Sequence, residues 1–387
     1  MSAGAAAEPP LTILVFNPMG EGGWGGVERW FMDIAKGFRA RGHRVLSVGR
    51  PGALWTKRCL EAGIETRTTE MRGDLAFGEA RAVAYWMQEQ GVQVVLTKLH
   101  KGIRLGGLAA RFAGHVPVVA FMGLVEVKNG WRYRLTYRLF LHRIVTLSEG
   151  MKRDIVAVGS GVLPEHVAAI PYGIVPGDYE VPAKAAAAAR ASLGAAPGDR
   201  LIVAAGRLHE QKRFDLLLEA FARARKRVPA ARLAIVGTGS LRADLERRAR
   251  ELEVADRTLF AGFRSDMPAV FAGADLFALS SDDEGLPMVV MEAMAGGGAV
   301  VATDVGSVRD LVEDGVTGTV VPRRSTAVLG DDLAAVLEDD PRRREMGRAG
   351  RARVRERFPL DRCVDETERF LRTVALEGPG ETDGPAG

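Results

Sequence analysis

LFALSSDDEGLPMVVMEAMAGGGAVVA, residues 276–302, is the stretch on which the fold turns. Residues 276–279 are an apolar run too short for a helix, closed off by polar residues, as a strand buried on both faces would be. Residues 280–287, SSDDEGLP, read as a loop ending in Pro. Residues 288–295, MVVMEAMA, read as an apolar helix. After a run of glycines, residues 299–302 repeat the strand signal. Strand, loop, helix and strand in so short a space make a βαβ unit with parallel strands.

The same rhythm continues in both directions. Further strands are predicted at 201–205, 232–236, 258–261 and 319–321. An earlier set is predicted at 11–16, 44–48, 93–97, 117–121, 143–147 and 166–170, with helical patterns between, including about 26–41. The rhythm breaks over 172–199, where Pro176, Pro182 and Pro197 accompany an alanine-rich stretch; this reads as a crossover between domains. The predicted class is α/β, with two Rossmann-like doubly wound parallel-sheet domains facing a central cleft. The expected boundaries are 1–175 for the first domain, 176–199 for the linker and 200–358 for the second. A C-terminal helix at 359–377 is expected to cross back to the first domain, and GPGETDGPAG at 378–387 reads as a disordered tail. Open parallel sheets bind ligands beyond the carboxyl ends of their strands. Site residues are therefore sought in the loops that follow strands.

Composition narrows the class. Of the 387 residues, 47% are hydrophobic and 26% charged, which fits a globular chain and argues against disorder. The two cysteines, Cys59 and Cys363, exclude a disulfide scaffold and a thiolate metal cluster. No apolar run is long enough and free enough of charge to span a bilayer, and the N-terminus lacks the basic region of a secretory signal. A cytoplasmic location follows, with peripheral attachment to the inner face of the cytoplasmic membrane as an option. Residues 1–180 hold 22 Lys+Arg against 16 Asp+Glu. A basic first half suits phosphates, an anionic acceptor or an anionic lipid surface, or simply solubility.

Three segments carry chemistry. NPMGEGGWGGVE, residues 17–28, follows the first strand and opens a helix. Its glycines let backbone approach a ligand, and Gly25 and Gly26 sit where unpaired N–H groups begin the helix. It is not a G-x-G-x-x-G dinucleotide loop, and the next strand ends in SVGR without an acid. GRLHEQK, residues 206–212, places Arg207 and Lys212 after a strand. A forked donor and a mobile point charge suit a diphosphate, although two solvated cations would look the same in sequence. In the opening stretch, Glu284 precedes the helix and Glu292 lies inside it among apolar residues. A carboxylate there needs a partner, either a ligand hydroxyl or a structural cation. The N–H groups around Gly285 and Leu286 can meet a phosphate.

Together these segments resemble the retaining family 4 glycosyltransferases of the GT-B fold. Residues 284–318 are similar to the signature in which a glutamate, seven residues and a second glutamate recur. GGVERW (25–30), LSEGMKRDI (147–155), IPYGI (170–174), GRLHEQKRFDLLLEA (206–220) and IVGTGSLRADL (235–245) resemble the family's other segments in order, so the likeness covers about residues 11–375. It implies Arg207 and Lys212 at the donor diphosphate, Glu292 at the ribose and Glu284 at the sugar hydroxyls. Gly285, Leu286 and Pro287 would supply backbone beside them, and Gly25 and Gly26 would approach from the other domain. Gly237 and Phe263 are counted with the donor loops, Phe263 opening the segment that would select the base. One departure is plain: Met122 stands where many members carry a histidine. His100, after the preceding strand, is the nearest candidate for a polar replacement.

The implied reaction moves a sugar from a nucleoside-diphosphate sugar to a glycan or lipid-linked acceptor with retention. The likeness is to enzymes of cell-surface polysaccharide and lipopolysaccharide synthesis. No cofactor and no metal are expected, because the sequence has no D-x-D motif or His/carboxylate ligand cluster. Residues 126–143, EVKNGWRYRLTYRLFLHR, interleave cations with aromatics and fit an anionic membrane surface, an anionic acceptor or an ordinary amphipathic helix. No nucleic-acid module accompanies the charge. A sugar-nucleotide epimerase or phosphorylase of the same fold, and a catalytically silent sugar-nucleotide or glycan-binding protein, are the alternatives.

Overall fold

The computed structural model describes residues 8–21 and 24–378. The chain divides into two compact units, Met1–Tyr172 with Asp361–Gly387, and Gly173–Leu360.

The first unit is built on seven strands: β1 (Thr12–Phe16), β2 (Arg44–Gly49), β3 (Glu65–Thr68), β4 (Val94–Thr97), β5 (Val118–Met122), β6 (Arg143–Thr146) and β7 (Val167–Ala169). Their order is β3-β2-β1-β4-β5-β6-β7, and every pairing is parallel. The apolar runs read from sequence are these strands, except β3. Its sequence, ETRT, has no apolar run because it lies at the sheet edge with no fully buried residue. The helix Leu360–Glu377 belongs almost wholly to this unit. Cys363, Val364, Thr367, Leu371 and Val374 are buried along one of its faces, at the spacing of an amphipathic helix. Val364 fits against Gly37, where an added Cβ would lie 2.6 Å from a valine methyl. Glu368 receives His43 at 3.0 Å and Arg41 at 3.1 Å.

The second unit has six strands: β8 (Arg200–Ala205), β9 (Ala231–Val236), β10 (Thr258–Gly262), β11 (Leu276–Leu279), β12 (Ala299–Thr303) and β13 (Thr319–Val321). Their order is β10-β9-β8-β11-β12-β13, again parallel throughout. The linker expected at 176–199 differs from the structure. It contains the helix Ala183–Ser192, which packs on Met267–Gly273 within this unit. An added Cβ at Gly273 would lie 2.6 Å from the Ala186 carbonyl, and Arg190 pairs with Asp275 at 2.7 Å. The alanines that read as a featureless spacer are what allow two helices to approach this closely. The tail expected at 378–387 lies, apart from Gly378, outside the described residues.

One histidine ties the first unit's stability to pH. His142 accepts the Val118 N–H on Nδ1 at 2.9 Å. Burial, with Arg143, His115 and Arg111 adding to it, pulls its pKa down to about 4. An unfolded histidine titrates near 6.5. Between those values only the unfolded chain takes up the proton, so stability is full above about 6.5 and falls as pH drops toward 4. The expected loss at pH 5 is about 2 kcal/mol by this linkage. Urea midpoints at pH 7 and pH 5 measure it. His142→Asn should show the smaller difference, and an equal difference would remove His142 as the cause.

Candidate functional site

In both sheets the strand order reverses once, between β1 and β4 in the first unit and between β8 and β11 in the second. At such a point the connections leave in opposite directions and open a crevice at the carboxyl ends. Arg207, Lys212 and Glu284 follow the two strands at the second reversal, and Gly25, Gly26 and His100 follow the two at the first, whereas Gly237 and Phe263 follow β9 and the edge strand β10.

In the second unit, Arg207 and Lys212 follow β8, Gly237 follows β9, Phe263 follows β10, and Glu284 follows β11. Lys212 Nζ donates to Glu284 Oε1 at 2.5 Å, and Ser281 Oγ donates to the same oxygen at 2.6 Å. The pair is largely enclosed, with side-chain exposures of 18% and 10%. The two loops are laced together around it. Asp282 N donates to the Gln211 carbonyl at 2.9 Å. Gln211 Nε2 reaches the Asp283 carbonyl at 2.7 Å, and Ser280 Oγ reaches the Lys212 carbonyl at 2.8 Å. Arg213 adds ion pairs to Asp215 at 2.8 Å and to Asp282 at 2.9 Å. Burial alone would raise the Asp282 carboxyl, but Arg324 and Arg213 outweigh it and hold its pKa below the ordinary value.

Arg207 differs from Lys212. Its side chain is exposed and pairs with no carboxylate among the described residues. It is thus a cation available to an anionic ligand. Gly285, Leu286 and Pro287 are buried and lead into the helix Met288–Gly296. The first N–H groups of that helix have no intrahelical acceptor. Behind them Ser307 N donates to the Gly285 carbonyl at 2.8 Å. Glu292 is 6% exposed inside the helix and has an interaction partner. Phe263 is 79% exposed and follows Gly262, whose φ is +69°. Gly237 has a structural reason to be glycine. Its φ is +139°, and an added Cβ would lie 1.9 Å from the Gly206 carbonyl oxygen. It keeps the loops after β8 and β9 in contact. A cavity of about 320 Å3 lined by His209, Glu210, Arg213 and Phe214 lies beside this site and includes neither Lys212 nor Glu284.

In the first unit, Gly25 and Gly26 begin the helix Gly26–Ala40. An added Cβ at Gly26 would meet nothing within 4 Å, so packing does not demand glycine there. Gly25 N donates to Glu28 Oε2 at 3.0 Å. The other oxygen of Glu28 receives Lys98, the residue following β4. This pair, with side-chain exposures of 4% and 7%, crosses the first unit's reversal point and was missed in the sequence. Two signals were present: Glu28 stands three residues after Gly25, the spacing of a helix-start acid, and Lys98 directly follows the apolar run of β4. Glu126 adds a third charge, its carboxyl pushed up by burial. His100 is committed elsewhere. Its Nε2 lies 2.7 Å from the Tyr137 hydroxyl, and burial, aided by Lys128 and Arg104, lowers its pKa. Met122 ends β5 with 3% exposure and packs among Ile103, Tyr137 and Ile155, as a core residue would. No group of three or more His, Cys, Asp or Glu among the described residues is arranged to hold a metal ion.

Comparison with known proteins follows the same division. The family described as Glycosyltransferase Family 4 matches residues 24–177, and the one described as Glycosyl transferases group 1 matches residues 186–353. The chain is 33% identical over 286 residues to the GDP-mannose-dependent alpha-(1-6)-phosphatidylinositol monomannoside mannosyltransferase of Mycolicibacterium smegmatis, covering 68% of this chain and 72% of that protein. It is 39% identical over 170 residues to the D-inositol 3-phosphate glycosyltransferase of Nocardia farcinica, covering 42% of this chain and 38% of that one. The match to the Nocardia protein therefore spans well under half of that relative's length. Among solved structures, Anabaena HepE in complex with UDP superposes with a TM-score of 0.84 at 21% identity, covering 94% of this chain and all of that chain.

The two kinds of glycine separate by experiment. Gly237→Ala drives a methyl into the Gly206 carbonyl and strains a left-handed backbone, with an expected cost of roughly 2–4 kcal/mol. Gly26→Ala faces open space and should cost no more than about 0.5 kcal/mol. Chemical denaturation of both variants measures the contrast. Parent-like stability in Gly237→Ala would show that the two loops do not depend on that contact.

Proposed function

The chain belongs to glycosyltransferase family 4, and from that premise we propose that it transfers a sugar, with retention at C1, from a nucleoside-diphosphate sugar to a glycan or glycolipid acceptor. The observation that carries this reading is the Lys212–Glu284 pair at the β8/β11 reversal, with the unpaired Arg207 and the start of the helix Met288–Gly296 beside it. Every group there suits one half of such a donor.

Arg207, Lys212 and the first N–H groups of that helix would bind the diphosphate. As the C1–oxygen bond breaks, negative charge grows on the leaving diphosphate, and these fixed donors stabilise it most when that charge is largest. The sugar passes through an oxocarbenium-like state. The acceptor hydroxyl oxygen bonds to C1 on the face the diphosphate leaves, and its proton passes to the departing phosphate oxygen. Glu284 positions the sugar hydroxyls and keeps the Lys212 ammonium in place. Glu292 holds the ribose, Phe263 stacks on the base, and Gly237 shapes the loop beside it. Gly25 and Gly26 let backbone approach the donor. The reading needs no metal, because cationic side chains supply the countercharge.

Two features support a glycolipid or glycan acceptor. The Mycolicibacterium relative is named for a phosphatidylinositol mannoside acceptor. Residues 126–143 present exposed Trp131, Arg132, Arg134 and Arg138, a composition suited to an anionic membrane surface. We assign the enzyme to cell-surface polysaccharide, lipopolysaccharide or glycolipid synthesis at the inner face of the cytoplasmic membrane. None of the helices among the described residues is long and apolar enough to cross a membrane.

A thermal-shift series with UDP-, GDP- and ADP-sugars identifies the donor, since a ligand that binds the folded form raises its melting temperature. Arg207→Ala and Lys212→Ala should each weaken donor binding at least tenfold, about 1.4 kcal/mol or more. Glu292→Gln should weaken nucleotide binding, and Glu284→Gln should mainly lower turnover. Nucleoside diphosphate release in the presence of acceptors measures transfer. Unchanged donor affinity in both cation variants would remove the diphosphate site, and binding without release across acceptors would identify a silent sugar-nucleotide protein.

A further inference from the structure

A cavity of about 520 Å3 in the first unit has no part in donor binding. It lies between the helix Trp131–Phe140 and residues 160–166, which lead into β7. Its walls include Leu135, Leu141, Ile144, Val162 and Leu163. Its volume falls within the roughly 300–1,000 Å3 typical of small-molecule sites. It sits beside the amino ends of β6 and β7, the opposite edge of the sheet from the loops bearing Gly25, Gly26 and His100.

Shape and charge together point to a ligand. Arg134 and Arg138 lie one turn apart on the helix face that lines the cavity. Arg134 donates to the Asn129 side chain and to the Gly159 carbonyl, and Arg138 is exposed; neither pairs with a described carboxylate. Arg143, also at the cavity, is already neutralised by Glu377 at 2.8 Å. Burial pulls the pKa of His142 down to about 4 and lowers that of His166, so neither adds a fixed positive charge comparable to the arginines. The mouth is apolar, with Trp131 74%, Leu135 47% and Leu163 44% exposed.

We propose that this cavity binds a single-chain amphiphile with a phosphate headgroup. The hydrocarbon chain lies along Leu135, Leu141, Ile144 and Val162, and the phosphate sits on Arg134 and Arg138. An apolar slot beside two cations without carboxylates selects this chemistry over a neutral lipid, which would leave the guanidiniums unused, and over free phosphate, which would leave the slot empty. The same molecule can be drawn from water as a monomer or from a bilayer.

Isothermal titration of the full chain with oleoyl lysophosphatidate below its micelle concentration tests this, with oleyl alcohol, inorganic phosphate and phosphatidylglycerol vesicles in parallel. The assay contains no nucleotide, so its failure is distinct from failure of the donor reading. One lysophosphatidate per chain is expected to bind at least tenfold more tightly than the alcohol or phosphate. Arg134→Ala combined with Arg138→Ala should weaken the lysophosphatidate at least tenfold and leave the alcohol unchanged. Leu163→Trp, which fills the mouth, should weaken both lipids at least tenfold, and Leu135→Arg gives an independent block. Circular dichroism and the ligand-free melting temperature of each variant check that the chain is folded. Parent-like lysophosphatidate affinity in both blocking variants would overturn the proposal. So would phosphate binding as tight as that of the lipid, or binding to vesicles without binding to the monomer.

Discussion

A parallel sheet whose strand order reverses leaves a gap that its own backbone cannot close. The helices after β1 and β4, and after β8 and β11, leave on opposite faces, and the loops between them must be held together by side chains. In both units a lysine and a glutamate do this. Lys98 after β4 meets Glu28 after β1, and Lys212 after β8 meets Glu284 after β11. The lysine comes from the earlier strand in one unit and from the later strand in the other, so the pairing follows the geometry of the gap rather than the order of the chain. Everything placed around each gap takes its position from loops that these pairs anchor.

In the second unit the anchoring extends well past one pair. Gln211, Ser280, Arg213 and Asp282 join the loop after β8 to the loop after β11 through both backbone and side chains. The result is a rigid floor on which Arg207 is the exception. Lys212 is held inside that network, whereas Arg207 is free of it. A diphosphate would thus meet one cation already in position and one that can adjust. Fixed donors contribute to transition-state stabilisation because they need no rearrangement as charge develops, and a mobile one suits capture of the incoming ligand.

Most of this architecture was legible because its signals are local. Twelve of the thirteen strands announce themselves as apolar runs. The exception, β3, is polar because an edge strand is only half covered. The alanine-rich segment misled for a related reason: small side chains look like a spacer in sequence but permit close helix packing, which only the Met267–Gly273 partner reveals. At the site, Arg207, Lys212, Glu284 and Glu292 stand out as charges in apolar or glycine-rich settings. That Lys212 would pair with Glu284 was not legible, since their meeting depends on β8 and β11 being neighbours while lying far apart in sequence. Lys98 and Glu28 escaped notice on the same ground. The Gly237 requirement comes from contact with Gly206, on a different loop, and so has no local signature either.

Burial decides which of the two pairs a ligand can use. Glu28 and Lys98 are 4% and 7% exposed, and Glu28 is also committed to the Gly25 N–H. Pulling either charge away would strand the other in a dry setting, a cost of roughly 3–5 kcal/mol. That pair is therefore structural, and it fixes the position of Gly25 through the Glu28 carboxylate. Glu284 and Lys212 are 10% and 18% exposed, at the carboxyl ends of the central strands β8 and β11. An ammonium has three donors, and Lys212 spends one on Glu284, so it can take a phosphate oxygen without surrendering the carboxylate. A phosphate arriving there adds countercharge to a partly solvated cation and breaks no existing pair. The same two residue types thus form a lock in one unit and, under the proposed donor reading, a receptive site in the other, and the difference lies in how much water each is allowed to keep.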